Sequence, residues 1–151
     1  MIRVQSEDFD IGAEIRELTH NKHNIGGVCS FVGLVRDVAD GDQIENLMLE
    51  HYPGMTEKLL ESIETEAKKR WPIVDSLIIH RFGLLAPGDQ IVLVCVSSAH
   101  RKAAIEACQF LIDWLKTKAP FWKYESGANI SKWVEERDQD IQKSKMWEKV
   151  K

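Results

Sequence analysis

The chain has 151 residues, 44% hydrophobic and 29% charged, with a formal net charge of −4. That length is enough for one domain with a sizeable core, and the composition is that of an ordinary soluble globular protein. The acidic balance argues against general binding to nucleic acid or anionic membranes, while leaving room for a local basic pocket.

No apolar run approaches the ~18 residues of a membrane span, and the opening MIRVQSEDFD has no signal-peptide hydrophobic region. The expected location is therefore the cytoplasm. Cys29, Cys95 and Cys108 are odd in number, lie in apolar stretches and form no C-x-x-C or Cys/His metal spacing. They read as buried free thiols in a reducing compartment.

In chain order, residues 1–5 predict a short strand, and Asp8 or Asp10 can cap a helix over roughly Ile11 to Leu18. Gly26-Gly27 marks a turn. Val28 to Val35 predicts a strand apolar enough to be central, with Gly33 where something approaches the backbone closely. Arg36 stands at its mouth, and VADGDQ reads as a polar loop, the best candidate for disorder. Ile44 to Tyr52 predicts another strand. After Pro53-Gly54, Met55, Leu59, Ile63 and Ala67 predict a helix to about Arg70, with Glu57, Lys58, Glu61, Glu64 and Lys68 on its solvated face. Trp71-Pro72 stops it.

Val74 to Phe82 and Gln90 to Ser97 read as antiparallel strands joined through a Pro-Gly-Asp turn. His80 and Arg81 fall within the first, where at least one should face out. Residues 97–125 then carry the densest chemistry. Ala104, Ala107, Cys108, Leu111, Ile112 and Leu115 recur at helical spacing, with Ser97 or Ser98 as a cap and Pro120 ending the helix near Lys116–Lys118. His100 and Arg101 sit in its first turn, where cations oppose the helix dipole unless an anion joins them. The plainer alternative is that both point into water. Tyr124 to Ser131 reads as loop. Residues 132–151 form a charged tail in which Trp133 and Trp147 suggest docking on a partner or on the protein's own surface.

The order β-α-β-β-α-β-β-α predicts an α+β fold with helices packed on one mixed sheet, all of 1–151 forming a single domain. No G-x-G-x-x-G, P-loop or nucleophile elbow is present.

Several short motifs stand in a specific order: Phe31-Val-Gly33-Leu-Val-Arg36, Leu49-Glu-His51-Tyr-Pro-Gly-Met55, Gly88-Asp89 and Ser98-Ala-His100-Arg101. Leu115-Lys116-Thr-Lys-Ala-Pro120-Phe-Trp-Lys123 and Trp133-Val-Glu-Glu-Arg137 complete the set. Over essentially its whole length the sequence resembles the large catalytic subunit of molybdopterin synthase, the MoaE type. The resemblance implies an α/β-hammerhead fold with a mixed, mostly antiparallel sheet. It also implies a sulfur-inserting transferase of molybdenum cofactor biosynthesis. Such an enzyme converts precursor Z, a cyclic pyranopterin monophosphate, into the dithiolene of molybdopterin. Sulfur would come from the C-terminal Gly-Gly thiocarboxylate of a small ubiquitin-like partner, and two catalytic subunits would form the central dimer of a heterotetramer. No metal or other cofactor is implied.

By motif, the resemblance assigns catalysis to Lys116 and Lys123. It assigns pterin and phosphate binding to Arg36, His100 and Arg101, a pocket lining to Tyr124 and Glu125, and a nearby arginine to Arg137. Tyr124 departs from the pattern, since many relatives are expected to be basic there. The chemistry agrees: phosphate and thiocarboxylate are anions, Arg offers a planar fork, and a Lys with a lowered pKa can shuttle protons or form an adduct. If residues 100–117 form one helix, Arg101 and Lys116 lie about 22 Å apart, which implies a pocket shared between protomers. Two other readings compete. A persulfide enzyme would need an exposed, acidic thiol; a non-catalytic binding module would not depend on Lys116 or Lys123.

Overall fold

The computed structural model describes residues 1–134 and 138–149. A first sheet runs in the order β1 (Ile2–Gln5), β6 (Ile73–Arg81), β8 (Gln90–Ser98), β2 (Gly27–Leu34). Only β1 and β6 pair in parallel; β6–β8 and β8–β2 are antiparallel. A second, wholly antiparallel sheet runs β10 (Ser131–Trp133), β9 (Phe121–Ser126), β5 (Asn46–His51), β7 (Gly83–Leu85). The architecture is thus α+β with mostly antiparallel strands. The single mixed sheet expected from the sequence is divided in two, because the chain leaves β6 at Phe82, turns at Gly83 (φ 94°) and crosses to β5.

The two faces of the first sheet are covered by different helices. On one face α3 (Arg101–Lys118) and α2 (Met55–Arg70) enclose Leu60, Ile63, Ile78, Val94, Val96, Phe110 and Leu111. On the other, α1 (Ile11–Thr19) closes Phe9, Leu18, Leu77, Ile79, Leu93 and Cys95. A third cluster of Val35, Leu47, Leu49 and Leu85 fills the space where the sheets meet. The alternation of β6, with Leu77 and Ile79 on one side and Ile78 on the other, lets one strand feed two cores.

Asp10 caps α1 by accepting from the Ala13 N–H at 2.8 Å, as its sequence predicts. Strand β2 is an edge strand among the described residues, not the central one its composition suggests. Cys29 and Phe31 on one face and Val28 and Val32 on the other are half-buried against the two cores, while Leu34 is exposed. Gly33 is nonetheless a close-approach position, since a Cβ there would lie 2.7 Å from Val92 Cγ1. The segment expected to be disordered is a tight hairpin, β3 (Val38–Ala39) and β4 (Asp42–Gln43). Asp40 and Gly41 take φ 52° and 86° in its turn, the backbone that an Asp-Gly pair is suited to supply.

The buried stripe of α2 is rotated from the one read in the sequence. Thr56, Leu60, Ile63 and Ala67 face inward and Met55 is exposed. Glu64, assigned to the solvated face, is only 8% exposed. It accepts from Ser76 Oγ and from the Met1 ammonium, both at 2.6 Å, with Lys68 at 3.3 Å. Residues 121–126, partly read as loop, form β9, and the tail continues as β10 and α4 (Asp138–Glu148).

Helix α4 docks on its own chain. Trp147 packs edge-on against Trp71 and Phe110, donates its indole N–H to Asp113 at 2.8 Å, and offers its carbonyl to Arg70 at 2.6 Å. Trp147→Ala removes the anchor of a short, polar helix, at a cost of about 2–3 kcal/mol. Helical circular dichroism should fall by α4's share while the main thermal transition persists, and trypsin should cut faster at Lys143 or Lys145.

Candidate active site

Strand β8 ends in buried Ser97 and Ser98, and the chain turns through Ala99 into α3. Neither serine caps the helix in the way the sequence suggested. His100 is the N-cap, extended at φ −126°, with no side-chain cap bond, and the first turn holds no acidic residue. Ser98 Oγ instead donates to the Pro72 carbonyl at 2.8 Å and accepts the His100 N–H at 3.3 Å. Exposed His100 and Arg101 therefore surround uncapped N–H groups, an arrangement that favours an anion. The turn is held by Gly26, whose N–H donates to the Ser98 carbonyl at 2.9 Å.

Helix α3 is continuous from Arg101 to Lys118. At ~1.5 Å per residue, Arg101 and Lys116 lie about 22 Å apart along it. Because α3 follows β8 and returns over the same sheet, its last turn lies at the end where β8 begins. That end carries a second group of cations. Arg36, exposed, follows Val35, whose N–H donates to the Asp89 carbonyl at 2.9 Å and whose carbonyl accepts from Gly88 at 2.8 Å. Lys116 is exposed in the last turn of α3, and Lys123 is half-buried on β9. The fold thus gathers Arg36, Lys116 and Lys123 at one end of the first sheet and leaves His100 and Arg101 at the other.

The register of β9 against β5 decides how its side chains point. Phe121, Lys123 and Glu125 oppose His51, Leu49 and Leu47. Since Leu47 and Leu49 are core, these three lie on the inner face. Tyr124 lies on the outer face. There Trp133, Tyr124, Met48 and Leu84 form a row across the four strands, with Trp133 54% and Leu84 64% exposed. Tyr124 packs edge-on against Trp133 and hydrogen-bonds Ser131, so it does not share a face with the two residues it was grouped with. Arg137 lies outside the described residues. Beside β5, where β7 begins, an open recess of about 370 Å³ is bordered by Leu49, Glu50, His51, Phe82 and Gly83.

Two histidines that the sequence names without a site role take definite places in the fold. His80 is 3% exposed, and its ring stacks on Phe121 at 3.6 Å and 15°. Burial pushes its pKa down to about 3, against a raising bond to the Arg81 carbonyl, with the Lys123 and His51 charges adding to the depression. His51 Nδ1 lies 3.2 Å from Thr56 Oγ1, which gives its own proton to the Tyr52 carbonyl at 2.8 Å; the imidazole is therefore the donor. Arg81, read beside His80, is tied to the Ser6 and Gln90 carbonyls and to Asp8.

Two of the three thiols do not fit sulfur chemistry. Cys95 and Cys108 are fully buried and Cys29 partly so. Burial raises Cys95 to about 11 and raises Cys108 as well. A persulfide enzyme needs the opposite, an accessible and acidic thiol. Among the described residues no group of His, Cys, Asp and Glu is arranged to hold a metal, and no helix is long and apolar enough to cross a membrane.

An α+β fold with Arg36, Lys116 and Lys123 at one end of its first sheet, and a second cationic pair at a helix start, has a charge arrangement that favours anions. The family description "MoaE protein" matches residues 4–118. The chain is 51% identical over 146 residues to a molybdopterin synthase catalytic subunit of Ralstonia nicotianae, covering 97% of this chain and 83% of that one. It superposes with TM-score 0.84 on a molybdopterin biosynthesis MoaE protein of Burkholderia ambifaria, at 45% identity over 98% of this chain and 97% of that one. It also matches a chain from a complex of subunits 1 and 2 of molybdopterin-converting factor of Helicobacter pylori. That match has TM-score 0.73 and 25% identity, with 90% and 91% coverage. The chain belongs to the MoaE family.

Two outcomes follow from this geometry. A Cβ on Gly26 would lie 2.1 Å from the Ala99 carbonyl oxygen, a backbone atom. Gly26→Ala should therefore cost about 1–3 kcal/mol, read as a fall in Tm of several degrees, and should shift the His100–Arg101 turn. His80 is held neutral in the fold, so its contribution is complete above the unfolded value of 6.5 and is lost as pH falls toward 3. Urea unfolding between pH 7 and 4 should show this loss at up to about 1.4 kcal/mol per pH unit, and His80→Phe should flatten that acid limb.

Proposed function

We propose that this chain is the catalytic subunit of a molybdopterin synthase. It would transfer sulfur from the C-terminal thiocarboxylate of a small ubiquitin-like partner to precursor Z, working in the cytosol with residues 1–151 acting as one catalytic domain. The observation that carries the reading is the grouping of Arg36, Lys116 and Lys123 at one end of the first sheet, in a chain of the MoaE family. Both reactants are anions, and both would be drawn to such a shelf.

In this reading the thiocarboxylate sulfur attacks a carbon of the pterin side chain, the C–O bond at that carbon breaks with its oxygen leaving as phosphate ester or, once protonated, as water, and the partner stays joined through a thioester. Water then cleaves that acyl bond, so the sulfur stays on the pterin and the partner departs as a carboxylate. A second partner molecule repeats the step for the second sulfur. Lys116 and Lys123 serve proton transfer or a covalent step, while Arg36 holds phosphate or carboxylate. Glu125, on the inner face with Lys123, orients the ammonium. Tyr124, on the outer face, would reach the pocket only through a surface shared with another subunit. Arg137 is assigned by its motif alone.

His100 and Arg101 bind anion from the far end of α3, so within one protomer they cannot meet the lysines over one small pterin. The pocket is composite: the helix start of one protomer completes the lysine shelf of its partner.

The test is conversion of precursor Z with thiocarboxylated partner. Lys116→Ala and Lys123→Ala should each lower kcat by about 100-fold or more while the partner still binds. Product formation unchanged in both variants would overturn the reading. For the composite pocket, Lys123→Ala and Arg101→Ala proteins, each inactive alone, are mixed and allowed to exchange subunits. Random pairing in a two-fold dimer should restore about one quarter of wild-type activity; no recovery would place both residues in a site within one subunit.

A further inference from the structure

The strand that carries Lys123 begins on an aromatic stack that spans both sheets. His80 leaves β6 on the α3 side of the first sheet, beyond the last turn of α3, and its ring lies flat on Phe121 of β9 in the second. Phe121 opposes His51, whose ring is 6.1 Å away and itself 4.6 Å from Phe82 at the corner between β6 and β7. The His80 ring cannot turn freely. Its Nδ1 lies 2.8 Å from the Arg81 carbonyl; a carbonyl only accepts, so Nδ1 carries the proton and Nε2 is the bare nitrogen. A buried imidazole with fixed tautomer and fixed plane is a rigid support.

What rests on it is the connection between two lysine-bearing elements. Only Ala119 and Pro120 separate the end of α3 from Phe121, whose N–H turns back to the Ala119 carbonyl at 2.9 Å. Lys123 follows on the same face of β9, roughly 7 Å along the strand. Moving Phe121 therefore moves Lys123 relative to Lys116. The Lys123 charge is also felt at the His80 ring, so the two side chains share one electrostatic environment.

Resting on the synthase reading, we propose that His80 is a positioning residue: by stacking on Phe121 it sets the start of β9 and so fixes Lys123 against Lys116. It does not touch substrate. The plane of the ring, rather than the mere filling of volume, is the property that matters.

Two substitutions separate plane from volume. His80→Phe keeps a flat ring over Phe121, whereas His80→Leu fills similar space without one. Both are assayed with wild type, Lys123→Ala, and Ile79→Ala as a core change on the opposite face of β6. His80→Leu should lower kcat about tenfold, a modest displacement of a catalytic group, with KM for precursor Z and the partner's affinity within about twofold. His80→Phe should stay within about threefold of wild type, and Ile79→Ala should keep wild-type kcat well below its own Tm. Hydrogen exchange supplies a readout independent of turnover: His80→Leu should speed exchange at the Phe121–Lys123 amides about tenfold, and His80→Phe should not. Equal kcat and equal β9 protection in the two His80 variants would overturn the proposal, as would a loss in Ile79→Ala matching that in His80→Leu. No difference between wild type and Lys123→Ala would instead count against the synthase reading, with the exchange result still deciding the role of His80.

Discussion

The rest of the molecule depends on the close seating of α3 on the first sheet. Ala104, Ala107, Cys108 and Leu111, all almost fully buried, form the inner face of an 18-residue helix. Small residues at that contact let the helix lie close to Val94, Val96 and Ile78, and the burial stabilises both layers. A helix pressed this firmly to a sheet cannot bend its ends together. Its length therefore sets the separation between His100 and Arg101 at one end and Lys116 at the other. The same helix offers Asp113 and Phe110 to Trp147, so the tail is organised by it too.

Much of this was legible in the sequence because its signals are local. The three- and four-residue spacing in α3, the Asp10 cap of α1 and the Pro-Gly-Asp turn before β8 each depend on residues near one another in the chain. The Asp40-Gly41 hairpin was also locally written, but its surroundings are polar enough to read as loop. What did not show was decided by distant partners. Strand β2 has the composition of a central strand because helices cover both its faces, yet among the described residues only β8 pairs with it as a strand. Glu64 sits inside because Ser76 and the Met1 ammonium, far away in sequence, satisfy its oxygens.

The site divides in the same way. Arg36, His100, Arg101, Lys116 and Lys123 are all named by short motifs, but their grouping is a property of topology. Arg36 joins the lysines rather than the His-Arg pair because β2 and β8 run antiparallel and α3 retraces β8. Strand alternation then separates Tyr124 from its neighbours Lys123 and Glu125, turning it toward Trp133, Met48 and Leu84. Reading residues 124–131 as loop concealed that alternation. His80 was hidden for a related reason: in a strand pattern it has a slot facing either way, and only the arrival of Phe121 from the second sheet shows which way and why.

The electrostatics give the division of labour a physical basis. In a chain with net charge −4, cations outside the site are found beside acidic neighbours, as with Lys68, Lys69 and the half-buried Arg70 beside Glu64 and Glu66. The helix start at His100 has no acidic residue in its first turn. Cys95 and Cys108, by contrast, are buried in the core and raised in pKa, so their sulfur is kept neutral. A protein that handles sulfur as an anion delivered from outside needs cations at the surface and inert thiols within. A protein that carried sulfur on its own cysteine would need the reverse.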